Sequence, residues 1–129
     1  MIKVILTGHG HFASGMKSSL ELLNGPSLDV VDIDFKAGDS FEELGNSINK
    51  IVADNIEDEW IILTDIPGGS PFKAAALAKI NNPKIQVCSG CNLPLLMEII
   101  LSKDYAENTD ILIDRAIENS KQSLTKLVL

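Results

Sequence analysis

The feature that most constrains the fold is a regular alternation between short, β-rich apolar runs and longer segments with helical spacing. The runs that favour strands cover residues 2–7, 30–35, 60–64 and 85–88. The segments that favour helices cover residues 12–24, 40–54, 70–81, 93–102 and 110–124. Alternation of this kind with short connections predicts an α/β fold, in which an open, doubly wound and mostly parallel sheet has helices on both faces.

Residues at the segment boundaries support this division. Gly25-Pro26 is a stop signal for the first helix, because glycine is favoured just beyond a helix and proline cannot continue it. Ser40, three residues before Glu43, is a capping-box pattern that opens the second helix. Ser70-Pro71 predicts an N-cap serine with proline at the first helical position of the third helix.

The number of strands suggests their order in the sheet. The position of the C-terminal tail stays open. Four strands of this type commonly take the order 2-1-3-4, which we expect here. The apolar tail LTKLVL, residues 124–129, is expected to form either an antiparallel edge strand or an arm that packs on another subunit. No repeat or linker divides the chain, so we expect residues 1–129 to form a single domain.

The net charge of the chain limits the classes of partner that it is expected to bind. The formal net charge is −7, which argues against nucleic acid or an anionic membrane as the main partner, because both bind basic surfaces. No apolar run approaches the roughly 18 residues that span a bilayer. The N-terminus also lacks the long apolar region and cleavage site of a signal peptide, so we expect a cytoplasmic protein.

The predicted sheet places its ligand site between strands 1 and 3. Open α/β sheets bind ligands beyond the carboxyl ends of the strands, at the point where the strand order reverses. His9 and His11, the two histidines of the chain, follow the first strand. Asp65 and the glycine-rich stretch Gly68-Gly69-Ser70 follow the third. The strand order therefore predicts a histidine, an aspartate and a glycine-rich turn at one site.

These residue types suit transfer of a phosphoryl group. A carboxylate that accepts a hydrogen bond from one ring nitrogen of a histidine leaves the other nitrogen free as a nucleophile. Asp65 is expected to orient His9 in this way, and His9 is favoured over His11 because it lies nearer the strand end. Backbone N–H groups at the start of the first and third helices would stabilise an anion. The candidate phosphate-binding residues are Gly10, Gly68, Gly69 and Ser70.

Three other chemistries compete for these residues. His9-x-His11 with Asp65 would supply three zinc ligands, although no further histidine or carboxylate cluster completes the set. Cys88 and Cys91 form a C-x-x-C motif, but the helix-like segment begins later than a redox site requires. Gly8-x-Gly10 matches only part of a nucleotide-binding glycine pattern. Two small, semi-buried thiols in a turn are the simpler interpretation of the cysteines.

Three blocks of sequence together resemble a known family. GHGHFASGM lies at the end of the first strand, and LTDIPGGSPFKAAA runs from the end of the third strand into the third helix. GCNLPLLME leads into the fourth helix. In this order and spacing they resemble the enzyme IIA domain of the mannose family of the bacterial phosphoenolpyruvate:sugar phosphotransferase system. The resemblance covers nearly the whole chain and implies the same doubly wound fold.

The resemblance also implies roles for residues and partners. His9 would be phosphorylated, Asp65 would hydrogen-bond its ring, and Gly68, Gly69 and Ser70 would line the phosphate pocket. The small histidine phosphocarrier protein would donate the phosphoryl group and a IIB component would receive it, with no cofactor and no metal. Membrane components would then phosphorylate the sugar. Members of this type are homodimers, often with an exchanged C-terminal strand, for which residues 124–129 are the candidate.

Alternative functions on the same fold remain open from the sequence. One alternative is a regulatory module, in which phosphorylation would serve only to control the association with partners. The donor subunit of dihydroxyacetone kinase shares the fold and passes its phosphoryl group to a nucleotide-bound kinase subunit. A flavodoxin-like redox protein would instead depend on Cys88 and Cys91.

Overall fold

Four strands and five α-helices alternate in the computed structural model, which describes residues 1–129. The strands are β1 (Ile2–His9), β2 (Val30–Phe35), β3 (Glu59–Thr64) and β4 (Gln86–Cys88). The helices are α1 (Phe12–Asn24), α2 (Phe41–Asp54), α3 (Ser70–Asn81), α4 (Leu93–Ser102) and α5 (Thr109–Lys121). A 3-10 turn, Lys103–Tyr105, follows α4. The predicted α/β alternation is confirmed.

The sheet is entirely parallel and has the order β2-β1-β3-β4, which confirms the predicted order. Strand β1 lies at the centre, with Gly8 beside Asp34 of β2 and Thr7 beside Thr64 of β3. The carboxyl ends of β1, β2 and β3 therefore meet at one edge of the molecule. That edge holds the residues that follow each of these strands.

Two apolar cores lie on opposite faces of the sheet. Leu6 and Leu63 face one side, where α1, α4 and α5 cover them, and Ile5 and Ile62 face the other, where α2 and α3 cover them. The opposite orientation of neighbouring residues follows from the alternation of side chains along a strand. Each fully buried leucine or isoleucine contributes about 1.5–3 kcal/mol to folding, so the two cores hold the strand ends firmly.

Capping residues determine where α1 ends and where α2 and α3 begin. Gly25 ends α1 with a φ of 82° and donates its N–H to Glu21, and Ser40 caps α2 by accepting the N–H of Glu43. The predicted N-cap of α3 was wrong by one residue, because Gly69 is the N-cap and Ser70 already lies in the helix. The extended backbone of Gly69 lets the chain turn into the helix while Pro71 sits within the first turn, where a missing N–H costs nothing.

The C-terminal region differs from its prediction. Helix α5 begins at Thr109 because Asn108 accepts the N–H of Ile111, and it ends at Lys121 rather than at residue 124. Residues 124–129 are exposed and pair with no strand of the sheet, so the expected edge strand is absent within this single chain. None of the helices combines the length and apolar character that crossing a membrane requires.

Candidate functional site

His9 and Asp65 meet where β1 and β3 end. His9 is the last residue of β1, and its ring Nδ1 lies 2.7 Å from Asp65 Oδ2. The backbone N–H of His9 donates to the same oxygen at 2.8 Å. Both contacts arise because the parallel register brings the loop after β3 against the end of β1. The side chain of His9 is 46% exposed, so its ring is fixed on one side and open to a partner on the other.

The contact with Asp65 sets the tautomer of His9. An ionised carboxylate can only accept hydrogen bonds, so Nδ1 carries the proton and Nε2 presents a lone pair. Burial raises the pKa of the Asp65 carboxyl, but the hydrogen bonds from the backbone and ring of His9 outweigh burial and hold that pKa below its usual value. Asp65 is therefore ionised at neutral pH and accepts the Nδ1 proton of the tautomer in which Nε2 is the nucleophile.

The free side of the His9 ring lies against the start of α3. A Cβ atom added to Gly69 would lie 2.7 Å from His9 Cε1 and 3.3 Å from Nε2. Only glycine fits there without displacing the ring. Gly69 is also the N-cap of a 12-residue helix, and no side chain caps that helix. The glycine thus allows close contact between the nucleophilic nitrogen and a helix N-terminus.

The first turn of α3 offers hydrogen-bond donors at this point. The backbone N–H groups of Ser70 and Phe72 bond to no acceptor in the protein. Gly68, just before the turn, has a φ of 83°, a conformation that favours glycine. Unbonded N–H groups and the positive end of the helix dipole together form an anion-binding site. The structure therefore brings Gly68, Gly69 and Ser70 together at a helix N-terminus beside the His9 ring, an arrangement of the kind that binds anions.

The aromatic ring of Phe35 supports His9 from β2. The two ring centroids lie 6.1 Å apart, with their planes at 86°. Such an edge-to-face contact restricts how far the imidazole can tilt. Sequence reasoning missed Phe35, although its place at the end of the strand next to β1 was a usable signal.

The turn between β1 and α1 differs from what the sequence suggested. Gly10 has a φ of 60° and donates its N–H to Phe35 at 2.8 Å, so this N–H is already engaged. Asp34 accepts the backbone N–H of Ser14 at 2.9 Å and its hydroxyl at 2.6 Å. Because Asp34 occupies this part of the α1 N-terminus, the expected free donors there are fewer, and α3 is the principal source of N–H groups for an anion. Gly10 contributes the shape of the turn.

His11 belongs to a separate pair. Its Nδ1 lies 3.3 Å from Asp34 Oδ2, and its side chain is 79% exposed. Burial raises the pKa of the Asp34 carboxyl, but the bonds from Ser14 and His11 outweigh burial and lower that pKa overall. No group of three or more histidine, cysteine, aspartate or glutamate side chains lies close enough to hold a metal ion. The zinc hypothesis joined two histidines that in fact bond to different carboxylates.

The two cysteines, one at the end of β4 and one three residues later, are buried thiols. Burial raises the pKa of both, and that of Cys91 reaches about 12. Neither thiol is therefore a thiolate at neutral pH, which is the reactive form in redox chemistry. The backbone N–H of Cys91 donates to the carbonyl of Thr64 at 3.0 Å, so this segment ties the end of β3 to the turn before α4.

Comparison with known proteins agrees with the fold and identifies the family. The sequence matches the family described as "PTS system fructose IIA component" over residues 3–117. It is 32% identical over 100 residues to the sorbose-specific EIIA component of Klebsiella pneumoniae, which covers 78% of this chain and 73% of that protein. It is 29% identical over 127 residues to the mannose-specific EIIAB component of Escherichia coli, covering 98% of this chain and 39% of the relative.

A solved structure shows the same architecture. The phosphotransferase system component EIIA from Streptococcus agalactiae superposes with a TM-score of 0.90 and 36% sequence identity. The alignment covers 98% of this chain and 97% of that one. The fold, the site and these matches define a phosphoryl-transfer protein that works through a phosphohistidine. The chain belongs to the mannose-type enzyme IIA family of the sugar phosphotransferase system, as the sequence resemblance predicted. It is a phosphoryl carrier in sugar uptake.

Proposed function

We propose that Nε2 of His9 is the atom that carries the phosphoryl group. The observation that supports this most strongly is the arrangement of the ring, with Nδ1 held by Asp65 and Nε2 beside the uncapped N-terminus of α3. Asp65 fixes the ring, and the N–H groups of Ser70 and Phe72 bind the phosphoryl oxygens. Gly68 and Gly69 shape the pocket so that the backbone approaches the phosphorus closely.

The transfer step needs no metal or cofactor from this chain. The Nε2 lone pair attacks the phosphorus of the donor's phosphohistidine, so that a new N–P bond forms as the donor's N–P bond breaks. The donor imidazole leaves with the electron pair, and the proton on His9 Nδ1 stays in its bond to Asp65. Positioning and charge stabilisation supply most of the catalysis in reactions of this type. Passage to the acceptor is the reverse of the same step.

We assign the histidine phosphocarrier protein as donor and a IIB component as acceptor. The E. coli relative, named as an EIIAB component, supports this pairing because our chain aligns with only part of it. Residues 1–129 would act as one IIA domain in the cytoplasm, where the phosphocarrier operates. The membrane components of the system would select the sugar.

We further propose that two copies form a homodimer through the β4 edge. An apolar groove of about 580 Å³ lies beside that edge, lined by Phe72, Ala76, Lys79, Ile80, Pro83 and Val87. Residues 124–129 end the chain with exposed apolar side chains and no partner strand. A tail from a second copy would pair with β4 and cover the groove. A chain ending at residue 123 should then be a monomer in light scattering, and a dimer at that length would contradict the exchange.

The carrier function is tested by reconstitution. The protein is incubated with phosphoenolpyruvate, enzyme I and the phosphocarrier, and the labelled residue is located by mass spectrometry at alkaline pH. We expect acid-labile, base-stable phosphate on His9 that is lost when a IIB component is added. Phosphate on another residue would overturn the assignment of His9, and phosphate that IIB does not remove would indicate a regulatory phosphoprotein.

A further inference from the structure

Three buried oxygen atoms near the site have no hydrogen-bond partner within the protein. They are the hydroxyl oxygens of Thr7 and Thr64 and the Oδ1 atom of Asp65. Buried polar side-chain atoms are nearly always paired, because an unpaired one has lost its hydration without a replacement bond. Thr7 and Thr64 are paired positions of two neighbouring strands and Asp65 follows Thr64 directly, so these three atoms are candidates for a common partner.

The two threonines lie side by side under the site. Thr7 of β1 and Thr64 of β3 are register partners, and both are fully buried. Ile5 and Ile62, two residues earlier on each strand, belong to the core under α2 and α3, so both threonines face that same side. Neighbouring strands are about 4.8 Å apart, a spacing at which one water molecule can bridge oxygens on two paired side chains.

Asp65 connects this pair to the reaction. It follows Thr64 directly, and its Oδ2 atom accepts both bonds from His9, the residue two places beyond Thr7. Oδ1 makes no hydrogen bond of acceptable geometry, although the backbone N–H of the next residue, Ile66, is near enough to help lower the pKa of the carboxyl. With one oxygen anchored and the other free, the carboxylate plane is held at only one end.

We propose that Thr7, Thr64 and Asp65 Oδ1 together bind one buried water molecule, through which the two threonines position Asp65 for its contact with His9. The water donates one hydrogen to Oδ1 and one to a threonine hydroxyl, and it accepts the O–H of the other threonine. Three hydrogen bonds are typical of a buried water. This inference rests on the proposed role of His9 and makes Thr7 and Thr64 positioning residues for it.

A direct hydrogen bond between the two threonines is a poorer solution. It would satisfy one donor and one acceptor but leave Asp65 Oδ1 buried and unpaired. An ionised carboxylate oxygen is more costly to leave unpaired than a neutral hydroxyl, because charged groups lose more hydration on burial. The water satisfies all three atoms at once.

The test replaces each threonine by valine and by serine. Thr7→Val and Thr64→Val keep the volume and remove the hydroxyl, whereas Thr7→Ser and Thr64→Ser keep the hydroxyl and remove the methyl group. We expect each valine variant to slow phosphoryl transfer about tenfold, the lower end of the loss seen when a contact that orients a histidine is removed. The serine variants should recover most of the rate. The double valine variant should be little slower than either single one, because both hydroxyls bind the same water.

Two further measurements separate positioning from packing. The ¹⁵N shifts of the His9 ring should report one tautomer, with the proton on Nδ1, in the wild type and a mixture in the valine variants. A crystal structure at high resolution should show one solvent peak within hydrogen-bonding distance of all three oxygens. Valine variants that keep the wild-type rate and ring shifts and gain stability would overturn the proposal, as would the absence of that peak.

These measurements also distinguish this inference from the carrier function. The ring shifts and the solvent peak are read on the unphosphorylated protein. If reconstitution fails to label His9 while the peak and the tautomer change appear, the proposed function fails and the water site stands. If His9 is labelled but neither the solvent peak nor the tautomer change appears, the water site is wrong and the carrier function stands.

Discussion

The molecule contains two histidine–aspartate pairs, whose histidines are two residues apart in sequence, and the two pairs differ in geometry. Nδ1 of His9 lies 2.7 Å from Asp65, and Nδ1 of His11 lies 3.3 Å from Asp34. Asp65 follows β3 and Asp34 is the penultimate residue of β2, both strands being neighbours of β1, and the pKa of each carboxyl is lowered. By residue type alone the two pairs are equivalent.

The difference lies in what surrounds each pair. Asp65 Oδ2 bonds only to His9, through both the backbone and the ring, whereas Asp34 bonds mainly to Ser14 and holds the start of α1. The ring of His9 meets Gly69 at the N-terminus of α3, whereas most of His11 is exposed to solvent. These surroundings support His9 rather than His11 as the proposed phosphoryl carrier.

The largest expected effect comes from the histidines themselves. His9→Ala should abolish phosphorylation in the reconstituted system, because it removes the nucleophile. His11→Ala, the matched control, should keep the transfer rate within about twofold, as most surface substitutions away from a site do. The measurement is the rate of labelling from phosphoenolpyruvate. Loss of labelling in the His11 variant would mean that the second pair takes part in transfer.

The next largest effects should come from the two aspartates, whose substitutions should change different properties of the protein. Asp65→Ala should slow transfer by about 10–100-fold with the fold intact, because the ring loses the bond that orients it. Asp34→Ala should instead lower the free energy of unfolding by about 1 kcal/mol, since it removes a cap from α1, and leave transfer largely unchanged. Transfer rates and urea unfolding curves measure the two effects. The comparison fails if both variants lose the same property.

A substitution of Gly69, which lies beside Nε2 of His9, should have a smaller effect on transfer than the loss of His9 or Asp65. Gly69→Ala would place a Cβ atom 2.7 Å from His9 Cε1, so we expect a displaced ring and about tenfold slower transfer. Gly15→Ala in α1, where a Cβ meets nothing within 4 Å, is the matched control and should stabilise the helix by about 0.5–1 kcal/mol. Equal transfer rates in the two variants would show that the ring is not held against α3.

The smallest effect is on acid stability, where the two pairs should behave alike. The folded-state pKa of Asp65 and that of Asp34 are both lowered from the ordinary 3.8. Their contribution to stability is fully present above pH 3.8 and is lost as the pH falls through the lowered values. Urea unfolding at several pH values should show a shallower acid decline in Asp34→Ala than in the wild type. An unchanged slope would contradict the lowered pKa of Asp34.

Sequence periodicity alone located most of the fold. The alternation of short apolar runs and helical segments predicted every strand and helix, because the spacing of apolar residues reflects which face each element buries. Errors were confined to boundaries such as the N-cap of α3 and the end of α5, where a single side-chain or backbone bond decides the last residue. The tail, residues 124–129, has no partner within one chain, so its spacing could not place it.

The sequence by itself determined which residues come to the site, because a parallel sheet of order 2-1-3-4 brings the ends of β1 and β3 together. Only the tertiary structure decided how those residues divide their hydrogen bonds. It assigned Asp34 to the start of α1, left the first turn of α3 open beside Nε2 of His9, and placed Thr7 next to Thr64. Such choices depend on distances of a few tenths of an ångström between residues far apart in the chain, and no local pattern records them.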